Sequence, residues 1–149
     1  MLNIIHIISF MSELFFLFIT SFIAATIIPT GSEAMLAGLV KYSHHDAFLL
    51  LVIATTGNVA GSIINWLIGV NLLHLKDKKF FPLTPKTLTR ATKYYQRFGI
   101  WSLLFAWLPI IGDPLTLIAG VLRTKFLPFI ILVTIGKTLR YYVIILFIL

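Results

Sequence analysis

Apolar residues fall along this chain in four long blocks, at about 14 to 40, 47 to 73, 99 to 122 and 126 to 149. Each can cross a bilayer core as helix, which takes about 20 residues. The second block is unbroken and carries no charge from Ala47 to Leu73. Gly57, Gly61, Asn65 and Gly69 recur at every fourth position along it, and such a stripe of small groups lets another helix approach closely. Asn58 adds a second amide on roughly the side of Asn65. This face serves either helix packing or a substrate-facing surface.

The first and third blocks are interrupted near their middles. One contains Pro29-Thr30-Gly31-Ser32-Glu33, the other Pro109-Ile110-Ile111-Gly112-Asp113-Pro114. Proline removes a helix hydrogen bond and clashes with the preceding turn. A lone acid at the centre of a spanning helix costs roughly 2.5 to 3.5 kcal/mol. Non-helical backbone at that depth survives only when buried in protein or lining a wet cavity. In the third block the arms Ile100 to Leu108 and Leu115 to Leu122 would reach about 13 Å and about 12 Å as helix. Two half-depth arms joined by a Pro-Gly-acid turn predict a re-entrant hairpin, with a kinked spanning helix as the alternative.

The two breaks align. In each, the acid follows the proline by four residues, and the prolines are 80 positions apart. Leu36-Ala37-Gly38-Leu39 follows the first acid and Ile118-Ala119-Gly120-Val121 the second. Each unit then enters a long apolar helix with an internal glycine, Gly57-Asn58 or Gly136-Lys137. The chain therefore divides into repeat 1 (about 12–73), a basic linker (about 74–98) and repeat 2 (about 99–149) within one membrane domain, 1–149. One full crossing per unit inverts the second unit, an arrangement typical of secondary transporters. The predicted fold is an all-α integral membrane protein: an inverted repeat of two re-entrant hairpins and two full transmembrane helices, with a short amphipathic linker helix.

Composition agrees with lipid as the solvent. Charged residues are 11% of the chain and hydrophobic residues 59%, whereas soluble domains carry about 25% charged. The net charge of +7 would suit nucleic acid only on a soluble cationic face, so no nucleic-acid partner is expected. Seven Lys or Arg and one acid lie between Lys76 and Arg97, which marks the linker as cytoplasmic. Thr84-Pro85 signals a helix start there. Lys86, Arg90, Lys93 and Arg97 then form one stripe, and Leu88, Ala91, Tyr95 and Phe98 another. The basic stripe suits anionic headgroups or a solvated connector.

Cysteine is absent, which excludes disulfides and thiolate chemistry. His6, His44, His45 and His74 have no ligand spacing, His44-His45 reads as solvated, and neither metal nor cofactor is expected. Met1 to Phe10 has no basic residue or cleavage site of the signal-peptide kind, and Met11 is an alternative start that would make Leu2 to Phe10 dispensable. Re-entrant hairpins would return Arg123 and Lys125 to the cytoplasm and leave both termini outside. Four plain spans would do the reverse.

Lys137 and Arg140 lie three apart inside the last apolar block and share a face. With Glu33 and Asp113 they give two acids and two bases within the membrane, which should pair or face water. They are either ion pairs pinning hairpins to helices or the polar wall of a hydrated cavity. In the second case Arg140 suits a phosphate, since its planar fork can bond two oxygens. A carboxylate in a low-dielectric site has its charged form disfavoured, making Glu33 or Asp113 a candidate proton carrier. No phosphate loop, metal box or nucleophile with a spaced base is present, so no enzyme is expected.

Pro29-Thr30-Gly31-Ser32-Glu33, Gly57-Asn58 with Gly61, Trp107-Leu108-Pro109-Ile110-Ile111-Gly112-Asp113, and Gly136-Lys137-Thr138-Leu139-Arg140-Tyr141 together resemble the DedA family. This is also called the SNARE-associated or VTT-domain superfamily, and the likeness is greatest to its short YqaA-like branch, over roughly Ser12 to Tyr142. The resemblance implies two opposed re-entrant hairpins, with Glu33 and Asp113 as the hairpin acids and Lys137 and Arg140 as the basic positions. It also implies a bacterial inner-membrane protein that moves an anionic lipid, such as a polyprenyl phosphate or phospholipid, with protons as the coupling ion. A proton-coupled carrier or channel for a small solute, and a non-transporting scaffold, are the rival readings. Membrane lipids are the expected partners, and a homo-oligomer would enlarge the enclosed area.

Overall fold

The computed structural model describes residues 2–26, 31–43, 45–71, 85–109 and 111–149. Among them every regular element is helical. α1 is Leu2–Thr26, α2 Ser32–Tyr42, α3 Ala47–Asn71 and α4 Pro85–Phe98. A 3₁₀ helix, Gly99–Trp107, is followed by α5, Gly112–Val121, and α6, Phe126–Ile148. Pro29, Thr30, His44, His74 and the linker up to Thr84 lie outside the described residues.

Three helices, not two, are long and apolar enough to cross a membrane: α1 over His6–Thr26, α3 and α6. The addition is α1. Its sequence has neither Gly nor Pro from Leu2 to Thr26, so no helix breaker interrupts it at Met11. The two helical segments on either side of the second break are short. The 3₁₀ helix of nine residues spans about 18 Å, and α5, with ten, about 15 Å.

α3 and α6 form the centre. α1 lies along α3, and the 3₁₀ helix lies along α6, while α2 crosses to α6 and α5 crosses to α3. Glycine governs the close approaches. A Cβ on Gly57 would strike the carbonyl of Phe18, and one on Gly61 would come within 2.7 Å of the Ala25 Cβ. On the other side Gly69 and Gly120 meet backbone to backbone, each Cβ position occupied by a carbonyl of the facing helix, Leu117 and Trp66. Gly136 repeats the pattern against the Leu104 carbonyl at 2.9 Å. The α3 glycine stripe is thus a packing seam.

Two apolar clusters fill the bundle. One joins Leu103, Leu115, Phe129 and Val133, with Trp66 packed against it. The other joins Leu17, Leu36, Leu50, Tyr141 and Ile145. The outside is equally apolar: Phe48, Leu67, Ile135 and Phe147 are exposed, an exterior that a soluble monomer does not carry.

The breaks have distinct local causes. Gly31 precedes α2 with φ of 92°, a left-handed backbone that glycine adopts without a steric penalty. The second break is closed by the Gly112 N–H donating to the Leu108 carbonyl at 2.9 Å. A Cβ on Gly112 would strike the Ala106 carbonyl. Pro114 does not break a helix; it lies in the first turn of α5, where a missing N–H leaves nothing unpaired.

α4 begins at Pro85 as expected. Ala91 is fully buried, and the Tyr95 hydroxyl meets Thr124 Oγ1 at 2.5 Å, tying α4 to the segment after α5. Lys86, Arg90, Lys93 and Arg97 are exposed. Phe98, expected on the apolar stripe, is exposed too. His45 departs further from expectation. It is not solvated: its side chain is 2% exposed and its Nε2 lies 2.7 Å from Glu13 Oε2.

Candidate functional site

Lys137 stands at the centre of α6, eleven residues from Phe126 and eleven from Ile148. Within one and a half turns Lys137, Arg140 and Tyr141 reach the segments next to both breaks. Lys137 donates to Asp113 Oδ1 at 2.9 Å, on the first turn of α5. Arg140 forms an ion pair with Glu33 on the first turn of α2. It also donates from Nη1 to the Trp107 carbonyl at 3.1 Å. Tyr141, fully buried, donates its hydroxyl to Ser32 Oγ at 3.2 Å and accepts from Asn58 Nδ2 at 2.8 Å.

Two of these contacts answer a backbone need. The last carbonyls of any helix lack intrahelical partners. At the end of the 3₁₀ helix the Trp107 carbonyl is met by Arg140, and at the end of α1 the Ala25 carbonyl accepts from Asn65 Nδ2 at 2.7 Å. The Asn65 amide also reaches Thr116 Oγ1 at 3.3 Å, and Thr116 donates to the Asp113 carbonyl at 2.7 Å. Side chains of the central helices thus close both hairpin ends.

The four charges that the sequence singled out are brought together as two pairs of different character. Lys137 is 1% exposed, sealed between α5 and α6. Glu33 is 46% exposed and Arg140 15%, and both line an open cavity of about 420 Å³. Trp107 and Pro109 of the second hairpin and Leu139, Val143 and Ile144 of α6 complete its wall. It is an apolar groove with one carboxylate and one guanidinium at its edge. An anion with an apolar tail can place its charge on the guanidinium fork and its tail along that wall.

Asn58, expected to face substrate or a packing partner, bonds Tyr141 inside the protein and does not line the cavity. Gly57, Gly61 and Gly69 pack helices. The basic stripe of α4 is exposed and away from the groove's lining. Sequence reasoning missed Tyr141, Ser32 and the Trp107 carbonyl as members of the site. Tyr141 carried a signal, since a tyrosine inside an apolar helix must find a partner for its hydroxyl when buried. Nothing in the sequence marks a backbone carbonyl. Among the described residues no group of three or more His, Asp or Glu is placed to hold a metal.

Comparison with known proteins gives the family. Residues 28–149 match the VTT domain. The chain is 36% identical over 131 residues to the Escherichia coli inner membrane protein YqaA, covering 87% of this chain and 86% of that one. It is 35% identical over 137 residues to a Haemophilus influenzae protein, with 87% and 83% covered. A more distant similarity, 28% over 122 residues, is to undecaprenyl phosphate transporter A of Staphylococcus aureus, with 76% of this chain and 60% of that one covered. No solved structure matches the chain. Of these relatives one is named an inner membrane protein and one a transporter. The paired hairpin acids, the basic turn of α6 and this match over most of the chain lead to one conclusion: the protein belongs to the VTT-domain (DedA) family of membrane proteins.

Proposed function

We propose that this chain moves an anionic lipid across the bacterial inner membrane, with the headgroup held at Arg140. The observation that carries this is the Glu33–Arg140 pair at the edge of an apolar groove, a charged anchor beside a surface suited to a hydrocarbon chain. The name of the Staphylococcus aureus relative, a polyprenyl phosphate transporter, supports the same substrate class. Arg140 takes the phosphate in place of Glu33, and the released carboxylate takes a proton, which couples lipid movement to protons. Lys137 and Asp113 hold the second hairpin, since Lys137 is buried and neither residue lines the groove.

In this reading both hairpins are re-entrant and the two units form an inverted repeat. The residues flanking the two breaks meet α6 at Lys137, Arg140 and Tyr141 and α3 at Asn65. The basic linker then faces the cytoplasm.

The test is movement of a labelled polyprenyl phosphate or phospholipid in liposomes. Wild type should move it, and Glu33→Gln and Arg140→Ala should slow it at least about tenfold, the effect of losing a charge-assisted contact. Equal rates would overturn the assignment. Proton flux without lipid movement would favour a small-solute carrier.

A further inference from the structure

A second cavity, of about 410 Å³, opens at the other end of α2, lined by Phe10 and Glu13 of α1, Gly38 and Tyr42 of α2, and His45 before α3. Its volume falls in the range of small-molecule sites, about 300 to 1,000 Å³. Phe10 and Glu13 lie outside the residues that match the family model, 28–149, and Gly38, Tyr42 and His45 within them.

The chemistry of the wall is specific. His45 is almost wholly buried and holds Glu13 through Nε2 at 2.7 Å, and the Phe10 ring packs on the imidazole at 4.3 Å between centroids. His45 engages only Oε2 of the carboxylate. Glu13 Oε1 has only a long contact from Ser9, 3.4 Å, and the residue is 40% exposed, so one oxygen is open to a ligand. Phe10 and Tyr42 are exposed aromatic rings on the same wall. A ring face attracts cations, and aromatic cages are the known means of binding organic ammonium groups. Tyr42 already shows this: Lys41 Nζ lies 5.5 Å from its ring centroid. The floor is open because Gly38 has no side chain, and a Cβ there would meet nothing within 4 Å.

We infer that the Phe10–Glu13–Tyr42 cavity is a binding site for an organic ammonium group, separate from the Arg140 groove. The run Lys41 to Asp46 is polar between two apolar helices, which puts the cavity at headgroup level. The group can come from an amine-headed lipid or from a free amine.

The experiment uses the full chain in detergent, as wild type and as Arg140→Ala, so that phosphate binding in the groove is separated from amine binding here. Dihexanoyl phosphatidylethanolamine, dihexanoyl phosphatidylglycerol and ethylammonium chloride are titrated by calorimetry. In both proteins the ethanolamine lipid should bind in preference to the glycerol lipid. Glu13→Gln should weaken it about tenfold, within the scale of a cation–π and charge contact. Gly38→Leu should abolish it while leaving the melting temperature unchanged. Ethylammonium competing at equal affinity identifies a free amine as sufficient, and weaker competition identifies the lipid; both support the site. Equal binding of the two lipids in Arg140→Ala, or unchanged binding in Gly38→Leu, would overturn it.

Discussion

Lys137 and Asp113 form an ion pair at 2.9 Å with the ammonium group sealed inside the bundle. Removing one partner of such a pair leaves a buried charge without compensation, a loss of about 3 to 5 kcal/mol, whereas removing both together can be nearly neutral. Lys137→Met should therefore sharply lower the midpoint of thermal unfolding in detergent. Lys137→Met with Asp113→Asn should recover most of it. Equal instability of the single and double variants would show that the pair is not what holds α5 to α6.

The glycine seam makes an independent prediction. Gly120→Ala places a methyl group against the Trp66 carbonyl, and Gly69→Ala one against that of Leu117. Overpacking of this kind costs about 1 to 3 kcal/mol, and both variants should melt lower than wild type. Gly38→Ala is the control. It meets nothing and gains about 0.5 to 1 kcal/mol of helix preference, so its midpoint should hold or rise.

Arg140 makes two different contacts, with Glu33 and with the Trp107 carbonyl, and lysine's point charge cannot reproduce the fork. Arg140→Lys should fold normally yet remain at least about tenfold slower in liposome lipid movement, the loss expected when a bidentate site is replaced. Wild-type rates in Arg140→Lys would mean that charge alone suffices.

The buried chain Asn58, Tyr141, Ser32 predicts a smaller effect. Tyr141→Phe removes a hydroxyl that serves both neighbours, and hydrogen bonds between membrane helices average about 0.6 kcal/mol with a maximum near 1.7 kcal/mol. Unfolding midpoints of Tyr141→Phe and Asn58→Leu should fall modestly, and their double variant should fall by less than the sum.

Orientation is tested by single-cysteine labelling, aided by the absence of native cysteine. Cysteines at Thr30, Lys125 and the C-terminus are probed from each side of sealed vesicles. Cytoplasmic labelling at Lys125 with external labelling of the C-terminus is the outcome expected for re-entrant hairpins. The reverse pattern would indicate plain spans.

Much of the site was legible because charge in an apolar chain is rare and must find a partner. That logic picked out Glu33, Asp113, Lys137 and Arg140, though not which acid each base takes. The same logic applied to Glu13, an acid in the run from Leu2 to Thr26, would have sought a partner such as His45. The contact is 32 residues long in sequence, and a His-His pair in a short polar connection looks solvated until the helices close over it. The first apolar block is placed at about 14 to 40, yet α1 begins at Leu2, since no helix breaker stands before it. Carbonyl capping by Arg140 and Asn65 depends on where two helices end in space, and side-chain identity carries no record of that.

Three residues within five positions of α6, Lys137, Arg140 and Tyr141, touch α2, α3, α5 and the 3₁₀ helix, and this has a mechanical meaning. Each residue advances a helix by about 100°, so a turn of α6 through a single residue would withdraw Lys137, Arg140 and Tyr141 from all their partners together. Arg140 and Lys137 ride on one shaft. Under the proposed transport cycle, displacing Glu33 from Arg140 would therefore be felt at Asp113 as well, for as long as α6 turns as a whole.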